Sequence, residues 1–182
     1  TASAEGERFA SVTFGLFTPN PAPMGGDVTF DLIFSVANIN PGVGGAEVYV
    51  GYDSTLVAPS TTPGVGSAEG RPDFFGASNV SINEVLPAYK CPGGASPCLH
   101  LVVAGPPQGT QTGAAVRFHF RGIVEGSACF RVLQAKMVDA DGYPVEPVVL
   151  PANPCVKIEF RATVSGVVLR QGVPANPNSS GG

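Results

Sequence analysis

The chain has 182 residues, of which 43% are hydrophobic and only 13% are charged, with a formal net charge of −4. This length suits one domain with a sizeable core and argues against two full domains. The sequence has no run of lysines or arginines, which argues against a nucleic-acid partner, and no apolar stretch reaches the ~20 residues that span a bilayer.

Apolar and polar residues alternate with a period of two along much of the chain, a pattern typical of half-buried β-strands. The first run covers residues 10–16 and places Ala10, Val12, Phe14 and Leu16 on one face. The other predicted strands lie at residues 27–37, 46–52, 79–86, 99–104, 114–124, 128–138 and 156–164. Glycine and proline, 24 and 18 residues, cluster between the runs and predict turns. The sequence therefore predicts an all-β sandwich of eight or nine strands.

Residues 58–76 interrupt this alternation. They are rich in proline, glycine, serine and threonine and show little periodicity. We predict a long surface loop here, of the kind that often carries recognition.

The end of the chain has one apolar segment more than a closed sandwich needs. Residues 167–169 form a short apolar strand, and residues 171–182 follow as a Pro/Asn/Ser/Gly tail. One interpretation is a linker. The other is a strand without a partner in its own domain, which adds to the sheet edge of a neighbouring copy.

These two interpretations lead to one division of the chain: an N-terminal arm (1–9), a sandwich domain (10–165) and an extra strand with its tail (166–182). Strand donation would use the C-terminal strands or the amino-terminal strand at residues 9–17. The candidate interface residues are Val156, Ile158, Phe160, Val164, Val167, Val168 and Leu169.

Four cysteines favour an oxidising compartment. Cys91 and Cys98 bracket a Pro/Gly-rich loop, whereas Cys129 and Cys155 lie at the edges of two later predicted strands. Neither pair forms a CxxC, and a zinc site wants four convergent ligands at tighter spacing, so disulfides are favoured over a metal site. Of three possible connectivities, 91 with 98 and 129 with 155 is the simplest. Disulfides predict a secreted or cell-surface protein.

The segment Asp139-Ala140-Asp141-Gly142 has the alternating carboxylates and the glycine of a calcium loop. It lacks the rest of an EF-hand, and an Asp-Gly turn between strands is the alternative. Calcium is therefore a candidate ligand of Asp139 and Asp141, and the sequence suggests no other cofactor.

No constellation in the sequence points to catalysis. Its two histidines, His100 and His119, lie on predicted strands between apolar residues. There is no Gly-x-Ser-x-Gly elbow, and the acidic residues are scattered rather than paired across a cleft. Tryptophan is absent, which argues against a sugar-binding face of flat aromatic rings. We expect no enzymatic activity.

Several segments, in their order and spacing, resemble cohesin domains. A Gly-Asp opens an alternating strand that an Asn ends, and a Gly-Ala leads into a strand closed by Tyr-Asp-x-x-Leu. Later segments resemble the second half of a cohesin domain. The matching segments are residues 26–38, 45–47, 51–56, 113–118, 126–130 and 138–142. The resemblance extends from Ser11 to Val164. Residues 164–169 also resemble the opening strand of a small extracellular β-sandwich repeat.

The resemblance implies a jelly-roll-like β-sandwich of about nine strands, here with an extra C-terminal strand and tail. Cohesins bind dockerins in cellulosomes, and cohesin-like domains also occur outside them. The expected function is thus a non-enzymatic interaction and assembly module of a secreted or cell-surface scaffold, whose partner is another protein module or further copies of itself. The alternative is a structural subunit of an extracellular filament or tube that polymerises by donating a terminal β-strand.

Overall fold

A computed structural model describes residues 6–60, 67–77, 79–162 and 166. In this part of the chain there are twelve strands, one helix of four residues (α1) and one 3₁₀ turn at Ala88–Lys90. The strands and the helix are β1 (Phe9–Phe14), β2 (Ala22–Pro23), β3 (Asp27–Ala37), β4 (Val43–Tyr52), β5 (Val57–Pro59), β6 (Ala68–Gly70), α1 (Pro72–Phe75), β7 (Asn79–Leu86), β8 (Cys98–Gln108), β9 (Gln111–Gly122), β10 (Gly126–Asp139), β11 (Pro144–Val145) and β12 (Cys155–Glu159).

The strands form two sheets that pack as a sandwich. The five-stranded sheet has the order β1-β3-β9-β5, and β6 also pairs with β9. The seven-stranded sheet has the order β2-β12-β10-β4-β8-β7, and β11 pairs with β10. All strand pairs are antiparallel except β2 with β12. The predicted all-β sandwich is confirmed.

The alternation along β3 builds the centre of the core. Its inward side chains, Val28, Phe30, Leu32, Phe34 and Val36, are all at most 2% exposed. Five other phenylalanine rings have centroids 4.6–5.9 Å from that of Phe30, namely Phe14, Phe17, Phe118, Phe120 and Phe130. Since these rings come from both sheets, this cluster joins the two layers of the sandwich.

The prediction of one surface loop at residues 58–76 is wrong for its described parts. Strands β5 and β6 pair with β9, and Phe74 and Phe75 of α1 are fully buried. The helix can pack closely because β9 has no side chain at Gly113, where a Cβ would lie 2.6 Å from the carbonyl of Asp73. Residues 61–66 lie outside the described part.

Two predicted strands are longer than the observed ones. β1 ends at Phe14, so Leu16 does not share the apolar face and is 92% exposed. β12 ends at Glu159, and the N–H of Phe160 turns to the carboxylate of Glu125 at 2.9 Å. In both places the alternating pattern continues beyond the last residue that a neighbouring strand pairs.

Other elements carry no signal that periodicity could detect. β2 and β11 have two residues each, too few for a period, and each contains a proline. The predicted extra strand at residues 167–169 lies outside the described residues, as does Val164. No helix in the described ranges combines the length and the apolar character that crossing a membrane requires.

Candidate binding face

The outer surface of β10, β4, β8 and β7 forms one continuous four-stranded face, which we call the binding face. Directly opposed residues of antiparallel strands point to the same side of a sheet. His100 on β8 is opposed by Tyr49 on β4 and by Glu84 on β7. The next row contains Ile82, Val102, Glu47 and Lys136, and the row after it contains Ala104, Gly45 and Val138. Strand register thus brings residues from positions 45 to 138 onto one surface.

His100 lies between two carboxylates at the middle of this face. Its Nε2 is 2.9 Å from Oε1 of Glu47 and its Nδ1 is 3.2 Å from Oε2 of Glu84. The ring of Tyr49 stacks on the imidazole with centroids 4.3 Å apart and planes 8° apart, and its hydroxyl donates to Oε1 of Glu47 at 3.1 Å. Only a doubly protonated imidazole donates to both carboxylates.

The contacts in this cluster shift two pKa values. The hydrogen bond from His100 lowers the pKa of Glu47 below its ordinary 4.5, and burial opposes this effect. The pKa of Tyr49 is raised, first by burial and then by the hydrogen bond to Glu47. Glu47 is therefore ionised at neutral pH, and Tyr49 is a neutral hydroxyl donor.

We expect the stabilising effect of Glu47 to depend on pH. A carboxylate with a lowered pKa in the folded chain stabilises the fold above its unfolded pKa and loses that effect as the pH falls through the folded value. Glu47→Gln should lower the free energy of unfolding near neutral pH by a few tenths to about 1 kcal/mol, because the side chain is partly solvated. The difference should shrink as the pH falls below 4.5. Urea unfolding at a series of pH values measures it.

The control for this prediction is Glu7→Gln, since Glu7 is exposed in the N-terminal arm. Its unfolding curves should match those of the parent chain at every pH. A Glu47→Gln difference that stayed constant into the acid range would contradict the role assigned to the carboxylate.

An apolar pocket of about 690 Å³ lies at one end of the binding face. Its floor is formed by small residues, Gly45 on β4 and Ala104 on β8, and Val102 and Val138 line it from β8 and β10. A Cβ at Gly45 would lie 3.5 Å from Cγ2 of Val138, which is an ordinary contact distance. A methyl group at position 45 would therefore pack without a clash.

The disulfides support the other end of the same sheet. Cys91 pairs with Cys98, which closes the connection between β7 and β8, and Cys129 pairs with Cys155 across β10 and β12. This is the simplest of the three connectivities considered above. Tyr89 next to the first disulfide is 80% exposed. The bonds fix the hairpin and the edge of the sheet that flank the binding face.

The predicted calcium ligands lie in a turn. Oδ1 of Asp139 accepts hydrogen bonds from the backbone N–H groups of Asp141 and Tyr143, both at 2.9 Å. These are the contacts of an Asp turn between strands. Among the described residues no group of three or more His, Cys, Asp or Glu side chains is arranged to hold a metal ion. Calcium binding by Asp139 and Asp141 stays a prediction.

Titratable side chains also contact one another on the five-stranded sheet. Asp31 accepts two hydrogen bonds from the guanidinium of Arg117, at 2.7 and 3.0 Å. His119 has Nε2 3.7 Å from a carboxylate oxygen of Glu69. These contacts link β3, β9 and β6 on the side of the sandwich opposite the binding face.

Two of the candidate interface residues are not available to a partner. Val156 and Ile158 are 0% and 1% exposed in the core of their own domain, because β12 pairs with β10 and β2. Phe160, just beyond β12, is 59% exposed. Val164, Val167, Val168 and Leu169 lie outside the described residues.

The binding face could not be predicted from the sequence. Alternation along residues 46–52 places Glu47 and Tyr49 on the side of their strand opposite Val48, and His100 lies on another predicted strand, but periodicity does not show that these side chains meet. The available signal was the set of polar side chains at outward positions of three strands. Strand order and register are needed to bring them together.

Solved structures with the same fold are cohesin modules. A cohesin module from a Clostridium perfringens family 33 glycoside hydrolase has a TM-score of 0.58 and 14% identity, over 85% of this chain and 98% of that one. A non-cellulosomal cohesin from the archaeon Archaeoglobus fulgidus has a TM-score of 0.52 and 14% identity, over 83% and 91% of the two chains. A Clostridium thermocellum cohesin solved in a type I cohesin–dockerin complex has a TM-score of 0.57 and 16% identity, over 88% and 100%.

At the level of sequence, no family model matches the chain and no curated protein matches it significantly. At 14–16% identity the likeness to these structures concerns the fold. The described β-sandwich is a cohesin-like domain in its fold.

Proposed function

We propose that the chain is a non-enzymatic protein-binding module of a secreted or cell-surface scaffold, and that the binding face contacts its partner. The observation that carries this proposal is a four-stranded face that presents an apolar pocket beside a charged, hydrogen-bonded cluster. Mixed apolar and polar surfaces of this kind are typical of protein–protein contacts.

The size of the face is adequate for a partner protein. β8 has 11 residues, a length of about 37 Å at ~3.4 Å per residue. Four strands spaced ~4.8 Å apart span roughly 19 Å, so the face covers on the order of 700 Å². A standard interface buries about 800 Å² on each partner.

Two further observations support an extracellular binding role. One of the structural neighbours was solved in complex with a dockerin, so this fold serves as a protein receptor in that protein. Two disulfides suit an oxidising compartment.

A site-specific photocrosslink tests the proposal. A photoreactive amino acid replaces Val102 at the middle of the binding face or, as the matched control, Thr13 on the outer side of the other sheet. Each variant is exposed to the extracellular proteins of the source organism. We expect an adduct from position 102 that excess unlabelled chain abolishes. Adducts from position 13 alone, or adducts that the unlabelled chain does not compete, would refute the assignment of the face.

A structural subunit that polymerises is the second candidate. The observation that favours it is the edge strand β7, which pairs only with β8 among the described strands and so offers an acceptor edge. The amino-terminal strand proposed as a donor pairs with β3 of its own domain, and Val156 and Ile158 stay in their own core. A donated segment would therefore have to lie before β1 or beyond β12. The crosslinking experiment separates the two functions, because polymerisation predicts that the adduct is a second copy of this chain.

A further inference from the structure

The binding face carries two features at a fixed separation, which together describe the chemistry of a partner. One is the apolar pocket over Gly45 and Ala104. The other is the cluster in which the imidazole of His100 lies between the carboxylates of Glu47 and Glu84, which we call the acidic trio. Strand geometry fixes the distance between them.

The pocket fits an apolar side chain. A Cβ at Gly45 would have the carbonyl of Val103 and Cγ2 of Val138 at 3.5 Å and Cβ of Ala104 at 4.0 Å, which are ordinary contact distances, so the floor of the pocket is flat and close-packed. Its volume of about 690 Å³ exceeds that of one side chain, and carbon groups form most of its wall. Burying a leucine-sized group in such a site is worth roughly 1.5–3 kcal/mol, or about ten- to hundredfold in affinity.

The acidic trio fits a cation. Two carboxylates face one imidazole, so the trio keeps a net negative charge whether His100 is neutral or protonated. Glu84 is the more accessible carboxylate, with 57% of its side chain exposed, and Glu47 is 35% exposed. The ring of Tyr49 stacks on His100 and holds it between the two acids. The exposed carboxylate of Glu84 is therefore the group that a lysine or arginine of a partner would pair with.

The separation of the two features restricts the partner further. Glu47 and Tyr49 follow Gly45 by two and four residues on the same strand, which corresponds to about 7 and 13 Å. Lys136 lies opposite Glu47 on β10, so the positive side chain belongs over β4, β8 and β7 rather than over β10.

We propose that the binding face recognises a protein segment with an apolar anchor for the Gly45–Ala104 pocket and a lysine or arginine, about 7–13 Å away, for the acidic trio. This inference rests on the proposed function and names the chemistry of its partner. The charge complementarity of the trio sets the orientation of the segment on the sheet.

Peptides selected from a random displayed library on the immobilised full chain test the inference. We expect the enriched sequences to share an apolar residue and a nearby Lys or Arg. A synthetic peptide with that consensus should bind about tenfold or more weakly to Ala104→Leu, whose larger side chain projects into the pocket. It should bind about two- to fivefold more weakly to Glu84→Gln, which removes one solvent-exposed charge. The controls Ala162→Leu and Glu7→Gln change exposed residues elsewhere and should bind like the parent chain.

A charge exchange keeps the test independent of folding defects. The variant Glu84→Lys should lose the consensus peptide and gain a peptide whose basic residue is replaced by Glu. Enriched peptides without a basic residue, no enriched peptide, or a consensus peptide that binds all variants equally would overturn the inference.

The failure of the proposed function looks different from the failure of this inference. Peptides that crosslink to position 13 and not to position 102 would contradict the assignment of the face itself. Peptides that crosslink to position 102 but carry no basic residue would leave the face in place and reject only the partner chemistry.

Discussion

The substitution Phe30→Ala is expected to lower the free energy of unfolding by about 3–5 kcal/mol, enough to unfold a domain of ordinary stability at least in part. Phe30 is 2% exposed, and its ring contacts aromatic rings from both sheets. Alanine leaves a cavity that neither sheet can close without moving away from its neighbour. Urea or thermal unfolding followed by circular dichroism measures the loss.

The matched control is the same substitution at Phe160, which is 59% exposed just beyond β12. Phe160→Ala should change the free energy of unfolding by less than about 1 kcal/mol, since its ring is mostly in solvent already. Equal losses for the two variants would show that the phenylalanine cluster does not join the sheets as the structure indicates.

The long strands could be predicted from the sequence because each of them shows an alternating or turn-bounded apolar pattern within its own residues. Asp27–Ala37 alternates for its whole length between core and solvent, and its observed bounds equal the predicted ones. In this strand the local pattern and the tertiary burial agree, so the period of two is sufficient. The bounds of Asn79–Leu86 also equal the predicted ones, because flanking turn residues delimit the strand.

The short elements could not be predicted because tertiary contacts decide them. α1 has four residues, which is below the length at which helical periodicity can be recognised, and its N-terminus has no side-chain cap. β6 has three residues and forms only because β9 offers a free edge. At Leu16 the sequence predicts more strand than is observed. The apolar/polar alternation extends to this residue, but no neighbouring strand covers its side chain.

Only separate parts of the candidate site could be predicted from the sequence. The cysteine pairs followed from spacing, because the nearest cysteines in sequence flank a hairpin or adjoining strands. The trio of Glu47, Glu84 and His100 joins residues separated by 16 and 53 positions. Strand order and register bring them together, and neither is encoded in the local pattern of any one strand.

A substitution at Phe74 tests whether α1, which the sequence pattern predicts to be part of a surface loop, is packed on the core. Its ring is fully buried, 5.4 Å from Phe34 and 4.7 Å from Phe75 in edge-to-face contacts. A helix of four residues cannot hold itself in water, so these rings keep α1 on β9. Phe74→Ala is therefore expected to lower the free energy of unfolding by about 3–5 kcal/mol.

The same substitution at Phe160 is again the control, and amide hydrogen exchange supplies a local measurement. The N–H of Arg71 donates to the carbonyl of Ala115 at 2.9 Å and that of Gly76 to the carbonyl of Pro72 at 2.6 Å. In Phe74→Ala both amides should exchange faster than those at the centre of β3, because α1 separates from β9 before the sandwich opens. If Phe74→Ala behaved like Phe160→Ala in both measurements, residues 72–75 would be the surface loop that their composition predicts.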